Sequence, residues 1–307
     1  MVRGYPKDCH SRVIVRLQGG LGNQLFQYAA AQRLAVKNGV PLKLDATSGF
    51  QRDYYQRSYS LRHFFIKEDF AGTRDCLLGR LGRIRYRIYC RLNRPWPSEG
   101  SSYVPELSKR ADPSVLDLRV NRAVYLDGFW QSEAYFRDIE DRLREELRFR
   151  GPHSQENVDM ARSIQESPSV CVHIRQLHGI PRTAKPVPLD PQDPRSNFVD
   201  TDYYDKAVQV LLRTVNDPHF FVFSDCPEWT RKNVRFDHPT TFVDHNDSER
   251  DYEDMWLMSG CKHFIIGNST FSWWGAWLGS FKDKIVIAPS KGFSNTTDMM
   301  PRRWIVI

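Results

Sequence analysis

The feature that most constrains the fold is a β-branched run that stops at two glycines and resumes at once as a helical pattern. Residues 12–17 read RVIVRL, Gly19 and Gly20 follow, and residues 23–39 read NQLFQYAAAQRLAVKNG. This second segment repeats apolar side chains at helical spacing and ends at a glycine, a common helix terminator. A further strand pattern, VPLKLDA, lies at residues 40–46. This order predicts a parallel strand–helix–strand unit.

The carboxyl-terminal half repeats this alternation. Strand patterns lie at residues 169–175, 219–225, 262–268 and 283–290, and helical patterns lie at 201–215, 252–261 and 269–281. The alternation predicts a doubly wound α/β domain. We interpret RGPHSQENVD at residues 150–159 as a linker, because it is rich in polar and turn-forming residues. A chain of 307 residues, 40% of them hydrophobic, is long enough for two cores. We therefore expect two domains, residues 1–155 and 156–307.

Charge and cysteine content narrow the class of protein. The net charge of +7 at pH 7 favours an anionic partner, such as a nucleotide, a phosphate-rich surface or nucleic acid. No apolar run is long enough for a signal peptide or a membrane span, so we expect a cytoplasmic protein. The six cysteines form no C-x-x-C pair, and we expect free thiols, with Cys171 buried inside a strand.

Residues 77–96 combine an apolar helical stripe with arginines from Arg80 to Arg94. A solvated helix face, contact with anionic lipid headgroups and contact with nucleic acid are the three interpretations that this pattern leaves open.

Polar side chains follow three of the predicted parallel strands of the second half. Ligands of an open parallel sheet bind just beyond the carboxyl ends of its strands. These positions hold His173 and Arg175, Ser224 and Asp225, and Asn268, Ser269 and Thr270. The sequence therefore predicts a ligand-binding edge in the second domain.

Arg175 is the most informative of these residues, because its planar guanidinium stays charged and fits two phosphate oxygens at once. An ion pair between domains is its alternative role. We expect Ser269 or Thr270 to cap the next helix, whose first N–H groups would point toward the same edge. Arginine and helix terminus together suit a diphosphate.

Several neighbouring residues have both a structural and a ligand-binding interpretation. Ser224 and Asp225 either form a turn at the strand end or hydrogen-bond the ribose or phosphates of a nucleotide. Asp254 either stabilises the N-terminus of its helix or pairs with the edge of a guanine. We expect the tryptophans Trp273, Trp274 and Trp277 to pack in the core.

The glycine turn of the first domain matches a dinucleotide-binding fingerprint only in part. Gly20 and Gly22 follow a strand, and Asp45 lies about 20 residues further on, as that motif requires. Leu25 stands where the third glycine is needed, which disfavours a nicotinamide dinucleotide. The two glycines still let the backbone approach a ligand closely, and Asn23 and Gln24 offer neutral hydrogen-bonding groups that suit sugar hydroxyls.

Four segments in this order resemble glycosyltransferase family eleven, the α-1,2-fucosyltransferases of bacterial type. They are RLQGGLGNQLFQYAAAQRLA, VHIR, FVFSD and MSGCKHFIIGNSTFSWWGAWL. The last segment is the most specific. The resemblance implies a GT-B-like α/β fold with two Rossmann-like domains facing each other across a cleft. The first domain would lie on the acceptor side, and the second would bind the GDP-sugar.

The resemblance also implies roles for individual residues. The family pattern H-x-R-R-x-D is matched at His173 and Arg175, with Arg175 as the diphosphate ligand. Gln176 and His178 depart from that pattern. Asn23 resembles the residue that faces sugar and acceptor in related fucosyltransferases. GDP-fucose is the implied donor substrate, with no metal and no other cofactor.

The implied reaction is the inverting transfer of L-fucose from GDP-β-L-fucose to the 2-hydroxyl of a galactose-containing oligosaccharide. Arg175, His173 and Asn23 are the expected catalytic residues, and His178 is a candidate general base. The arginines of residues 77–96 would hold the enzyme at the inner face of an anionic membrane, and nucleic acid is not an expected partner. The alternatives are another linkage, another GDP-sugar, and a carbohydrate-binding module or degenerate transferase fold without catalysis.

Overall fold

The computed structural model describes residues 11–51, 53, 55–72, 75–76, 97–98, 101–108, 110–176, 199–290 and 298–307. The chain divides into two compact units, Met1–Arg148 and Phe149–Ile307. The arginine-rich segment 77–96 and His178 lie outside the described residues.

The first unit contains a five-stranded sheet in the order β2-β1-β5-β4-β3. Its strands are parallel except for the antiparallel pair of β3 and β4. The described strands are β1 (Arg12–Arg16), β2 (Leu42–Asp45), β3 (Pro97–Ser98), β4 (Ser101–Pro105) and β5 (Ala123–Asp127). The described α-helices are α1 (Leu21–Asn38), α2 (Pro113–Leu116) and α3 (Glu140–Glu146).

The predicted strand–helix–strand unit is confirmed. Strand β1 pairs in parallel with β2, with Val13 opposite Leu42, and α1 connects them. The helix ends at Gly39, which adopts the left-handed conformation with φ 59° and donates its N–H to helix carbonyls. A glycine takes this conformation without the steric cost that a Cβ atom would bring.

The second unit contains a six-stranded, wholly parallel sheet in the order β11-β10-β9-β6-β7-β8. The strands are β6 (Ser169–Ile174), β7 (His219–Ser224), β8 (Thr240–Val243), β9 (His263–Ile265), β10 (Val286–Ala288) and β11 (Ile305–Val306). The helices are α4 (Gln155–Glu166), α5 (Thr201–Leu211), α6 (Pro227–Asn233), α7 (Asp251–Ser259) and α8 (Thr270–Leu278). Every residue of β6 is buried, as expected for a central parallel strand.

The linker interpretation of residues 150–159 is wrong for its second half. Ser154 caps helix α4 by accepting a hydrogen bond from the Asn157 N–H, and the helix begins at Gln155. Polar residues at the start of a helix resemble a loop in sequence, because Ser and Glu are also favoured at helix N-termini.

Core packing of the aromatic segment is confirmed. Trp273, Trp274 and Trp277 are each 0% exposed, and the Trp273 indole N–H donates to the Met299 carbonyl at 3.0 Å. Cys171 is buried, and the four described cysteines are free thiols. Among the described residues, no helix combines the length and apolar character that a membrane crossing requires.

Candidate active site

The carboxyl edge of the second sheet brings Arg175, Gln176 and Asp225 together. Strands β6 and β7 pair in parallel with Ile174 opposite Ser224, so the residues that follow each strand are neighbours. The Arg175 Nε lies 3.2 Å from the Asp225 Oδ2, and Asp225 Oδ1 accepts the Gln176 N–H at 2.8 Å. Asp225 therefore orients the arginine and also fixes the backbone just beyond it. This ion pair lies within one unit, unlike the interdomain pair considered for Arg175.

Two buried polar atoms flank Arg175. His173 Nδ1 and Gln176 Nε2 have no hydrogen-bond partner within the described part of the chain, and the two residues are only 5% and 6% exposed. A buried unsatisfied polar group costs about 1–3 kcal/mol, so such groups call for an explanation. A bound ligand that supplies the missing partners is one.

His173 is held in its neutral form. Burial, reinforced by the positive charge of Arg175, lowers the pKa of His173 to about 3. At neutral pH the imidazole therefore has one donor and one acceptor nitrogen. It can hydrogen-bond a ligand, but it is a poor general base at this pKa.

Helix α8 begins at the same edge. Ser269 is its N-cap, and the Ser269 Oγ accepts the Phe271 N–H at 3.3 Å, which confirms the predicted cap. The Phe271 ring lies 5.9 Å from the imidazole of His173 between centroids, so the first turn of α8 lies beside the end of β6. Asn268 is 5% exposed, and Thr270 is the first helical residue.

Gly267 makes this proximity possible, and sequence reasoning missed it. A Cβ atom at Gly267 would lie 2.9 Å from the His173 carbonyl oxygen and 3.1 Å from the Tyr204 hydroxyl. Any larger residue would push β9 away from β6. The signal in the sequence is Gly267 itself, which ends the apolar run of residues 264–266, since a glycine permits close backbone approach.

Ser224 has a structural partner set of its own. Its Oγ accepts the Cys226 N–H at 3.0 Å and lies 2.8 Å from the Thr230 hydroxyl of α6. These contacts agree with the strand-ending turn, while a role for Ser224 in ligand binding stays a prediction.

Asp254 lies in the first turn of α7 and belongs to an amide network. Asn246 Nδ2 donates to Asp254 Oδ1 at 2.8 Å, and Asn246 also exchanges hydrogen bonds with the fully buried Asn157 of α4. Burial raises the pKa of Asp254 to about 7, although the Asn246 hydrogen bond opposes the shift. No sequence pattern points to Asn157, because its partners are distant along the chain.

The glycine turn of the first unit is closed by its own side chains. Gly19 has φ +78°, and a Cβ there would lie 2.7 Å from Asn23 Nδ2. Asn23 is half-buried, and its Oδ1 accepts from Gln131 Nε2 at 2.8 Å. Gly20 is the N-cap position of α1, and Gly22 is buried in the first turn. Asn23 and Gln131 thus stand together at the carboxyl edge of the first sheet.

Asp45 serves the fold. Its carboxylate is 0% exposed and accepts hydrogen bonds from the backbone of Thr47 and Ser48 and from the Tyr125 hydroxyl at 2.6 Å. Burial alone would raise the pKa of Asp45, but these hydrogen bonds lower it below its usual value. A carboxylate used in this way is not available to a ribose, in line with the incomplete dinucleotide fingerprint.

The fold has a counterpart among solved structures. A mutant form of Arabidopsis thaliana FUT1 in complex with GDP superposes with a TM-score of 0.50 at 10% identity, covering 96% of this chain and 77% of that one. The α/β fold of GT-B type, with two Rossmann-like units, is thereby confirmed. The GT-B type is therefore the class of fold to which this chain belongs.

Sequence comparison identifies the family. The model of glycosyl transferase family 11 matches residues 108–307. An Escherichia coli α-1,2-colitosyltransferase is 31% identical, covering 97% of this chain and 99% of its own length. Galactoside α-(1,2)-fucosyltransferase 2 of Hylobates lar is 24% identical, covering 85% of this chain and 67% of its own length. The chain belongs to glycosyl transferase family 11.

Proposed function

We propose that this protein transfers L-fucose from GDP-β-L-fucose to the 2-hydroxyl of a galactoside, with inversion and without a metal ion. Family membership supports glycosyl transfer, and the names of the two relatives support an α-1,2 linkage. The observation that carries the proposal is the edge of the second unit, where Arg175 lies in sequence between His173 and Gln176, each of which has a buried polar atom without a partner among the described residues.

The diphosphate of the donor would bind at this edge. The guanidinium of Arg175 supplies fixed positive charge, and Asp225 restricts its orientation. The N-terminus of α8 adds backbone N–H groups and the positive end of a helix dipole. The His173 imidazole and the Gln176 amide would complete their hydrogen bonds on the phosphate or nucleoside oxygens.

Asp254 is proposed to bind the guanine. Its carboxylate, when ionised, is suited to accept hydrogen bonds from the N1–H and the 2-amino group of that base. The hydrogen bond from Asn246, itself held by Asn157, fixes the orientation of the carboxylate. This arrangement favours GDP over a nucleotide whose base edge carries no such donors.

Catalysis follows from where charge develops. The anomeric carbon becomes oxocarbenium-like while the departing β-phosphate gains negative charge. Arg175 and the amino end of α8 would stabilise that charge, and removing one such donor commonly costs about 3–4 kcal/mol. His173, being neutral, would position the phosphate rather than remove a proton. Asn23 of the first unit is proposed to meet the sugar and the incoming hydroxyl.

GDP-colitose is the second candidate donor, favoured by the 31% identical colitosyltransferase. Colitose is L-fucose without its 3-hydroxyl, so the same diphosphate and guanine contacts would serve both donors. The difference would be confined to the sugar pocket.

Calorimetric titration with GDP, followed by transfer assays with both radiolabelled donors over a panel of galactosides, tests the proposal. We expect micromolar GDP affinity without added metal and an α-1,2-linked product. If the protein binds a glycan but not GDP, it is a carbohydrate-binding module and not a transferase. If the product has a different linkage, the proposed α-1,2 regiochemistry is wrong.

Membrane contact through the arginines of residues 77–96 is a separate proposal. Electrostatic attachment predicts release from anionic vesicles at high salt. Retention after a high-salt wash would contradict it.

A further inference from the structure

The loop that follows β5 is anchored by the carboxylate of Glu106. Glu106 Oε2 accepts the Phe129 N–H at 2.7 Å, and Glu106 Oε1 accepts the Trp130 N–H at 3.0 Å. Glu106 is itself fixed, because its own N–H donates to the Asp127 carbonyl at 2.9 Å. One carboxylate thus anchors two consecutive peptide groups of the loop. The conformation of this loop is therefore fixed by a residue that directly follows the adjacent strand β4.

Trp130 shows that this conformation is retained against a local cost. Its φ is +55°, in the left-handed region that bulky residues rarely adopt. Its side chain is 1% exposed and packs edge-on against Tyr135, with 5.4 Å between ring centroids. Strained backbone that is held by its surroundings is found preferentially at ligand-binding and active sites.

The same loop presents an aromatic ring to solvent. Phe129 is 41% exposed, although both of its neighbours in the chain are buried or half-buried. Leu107, which directly follows the anchoring Glu106, is 77% exposed. Because β4 and β5 are adjacent parallel strands, these two apolar side chains lie just past neighbouring strand ends. A single exposed phenylalanine is ordinary. The backbone of Phe129 is anchored, however, and a second exposed apolar side chain, Leu107, follows the neighbouring strand, so the two together indicate a contact surface.

The loop also connects this surface with the proposed reaction centre. Gln131, two residues after Phe129, donates to Asn23 at 2.8 Å. Asn23 is the residue proposed to meet the incoming hydroxyl. The loop therefore carries an exposed apolar ring at Phe129 and an amide at Gln131, and Gln131 contacts the amide of Asn23 on α1. A sugar needs both kinds of group, since a hexose has both C–H and hydroxyl faces.

We propose that Phe129 is the platform on which the acceptor galactose stacks, with Gln131 and Asn23 bonding its hydroxyls. This inference rests on the proposed transfer to a galactoside. The axial 4-hydroxyl of galactose leaves the C3, C4 and C5 hydrogens together on the opposite face of the ring. These weakly positive hydrogens suit the negative face of an aromatic ring. Glucose, with an equatorial 4-hydroxyl, lacks that continuous C–H face.

Three substitutions at Phe129 test the platform against a matched exposed phenylalanine. Phe129→Ala and Phe129→Leu are expected to raise the KM for lactose about tenfold, whereas Phe129→Trp keeps it near that of the parent protein. Phe65→Ala is the control, because Phe65 is 53% exposed in the same unit and packs near Arg148. GDP affinity and the melting temperature are measured for every variant and are expected to stay unchanged.

The outcomes separate this inference from the proposed function. Equal lactose KM values for Phe129→Ala and Phe65→Ala would overturn the platform while leaving the transferase intact. A Phe129→Leu protein that behaves like the parent would also overturn it, because an apolar contact without a ring would then suffice. If the parent protein transfers nothing, calorimetric titration with lactose decides. If the parent protein binds lactose and Phe129→Ala does not, the platform is supported without the transferase. If the parent protein does not bind lactose, both proposals are overturned.

Discussion

The glycine turn of the first unit and the carboxyl edge of the sheet in the second unit differ in how completely their polar side chains are hydrogen-bonded. Around the glycine turn of the first unit, Gln24 donates to two carbonyls and accepts one backbone N–H, and Asp45 accepts from backbone and hydroxyl donors. At the edge of the second unit, His173 and Gln176 keep buried atoms unpaired within the described residues. The difference shows that polar side chains near a strand end can be hydrogen-bonded by the protein itself or can keep groups available for a ligand.

The largest effect is expected for Arg175→Ala. Loss of the guanidinium should lower kcat about a hundred- to a thousandfold, because one charge-stabilising donor is worth about 3–4 kcal/mol. Arg175→Lys should remain strongly impaired, since an ammonium lacks the planar fork. Steady-state kinetics with GDP-fucose measure both. Arg231→Lys is the control, because Arg231 pairs with Asp244 at 2.7 Å on the same unit. Near-normal turnover of Arg175→Lys would refute the diphosphate role.

Replacing one buried glutamine by leucine in each unit tests this difference in hydrogen bonding most directly. Gln24→Leu leaves the Gly19 and Ser58 carbonyls and the Ser60 N–H without their partner, and is expected to cost about 2–4 kcal/mol of stability. Gln176→Leu removes an amide whose nitrogen has no partner among the described residues, so the ligand-free protein should keep its stability. Its GDP affinity should fall about two- to tenfold, the worth of one neutral hydrogen bond.

Urea unfolding with and without GDP gives both numbers for each variant. Equal destabilisation by Gln24→Leu and Gln176→Leu would show that both glutamines are hydrogen-bonded within the protein. The contrast between the units would then be lost.

The glycine turn offers a smaller and purely structural test. Gly19→Ala places a Cβ at positive φ and against Asn23, and is expected to cost about 1–2 kcal/mol. Gly20→Ala should cost less, because its Cβ would meet nothing closer than Arg57 Nε at 3.9 Å. Thermal unfolding of the two variants measures the difference. A Gly20→Ala variant less stable than Gly19→Ala would contradict the described turn.

Asp254 gives an effect that depends on pH. Its pKa is raised from 3.8 to about 7, so the folded protein binds the extra proton between these values and loses stability as pH rises through them. Asp254→Asn should flatten this loss by about 1 kcal/mol or more at pH 8. If only the ionised carboxylate binds guanine, GDP affinity falls about tenfold from pH 8 to pH 6. A GDP affinity that does not change with pH would remove Asp254 from the base site.

The sequence predicts the parts of this protein that depend on local pattern. The strand–helix–strand unit with Gly39 at its end, the Ser269 cap and the edge position of Arg175 all follow from spacing and residue type. The sequence does not predict the start of α4 at Gln155, because the first residues of this helix are as polar as a loop.

Tertiary partners explain what the sequence does not reveal. Asp225 holds Arg175 across two strands, and Asn157 reaches Asn246 over 89 residues of chain. The left-handed Trp130 and its anchor Glu106 follow different strands, β5 and β4. None of these pairs leaves a periodic or motif-like trace, because each depends on how the strands are ordered in the sheet.

Calorimetric titration of GDP into Arg175→Ala and Asn23→Ala tests the division of labour between the two units most directly. The account predicts that Arg175→Ala loses GDP affinity about a hundredfold, whereas Asn23→Ala binds GDP like the parent protein but transfers sugar poorly. Unchanged GDP affinity in Arg175→Ala, or a comparable loss in Asn23→Ala, would contradict it.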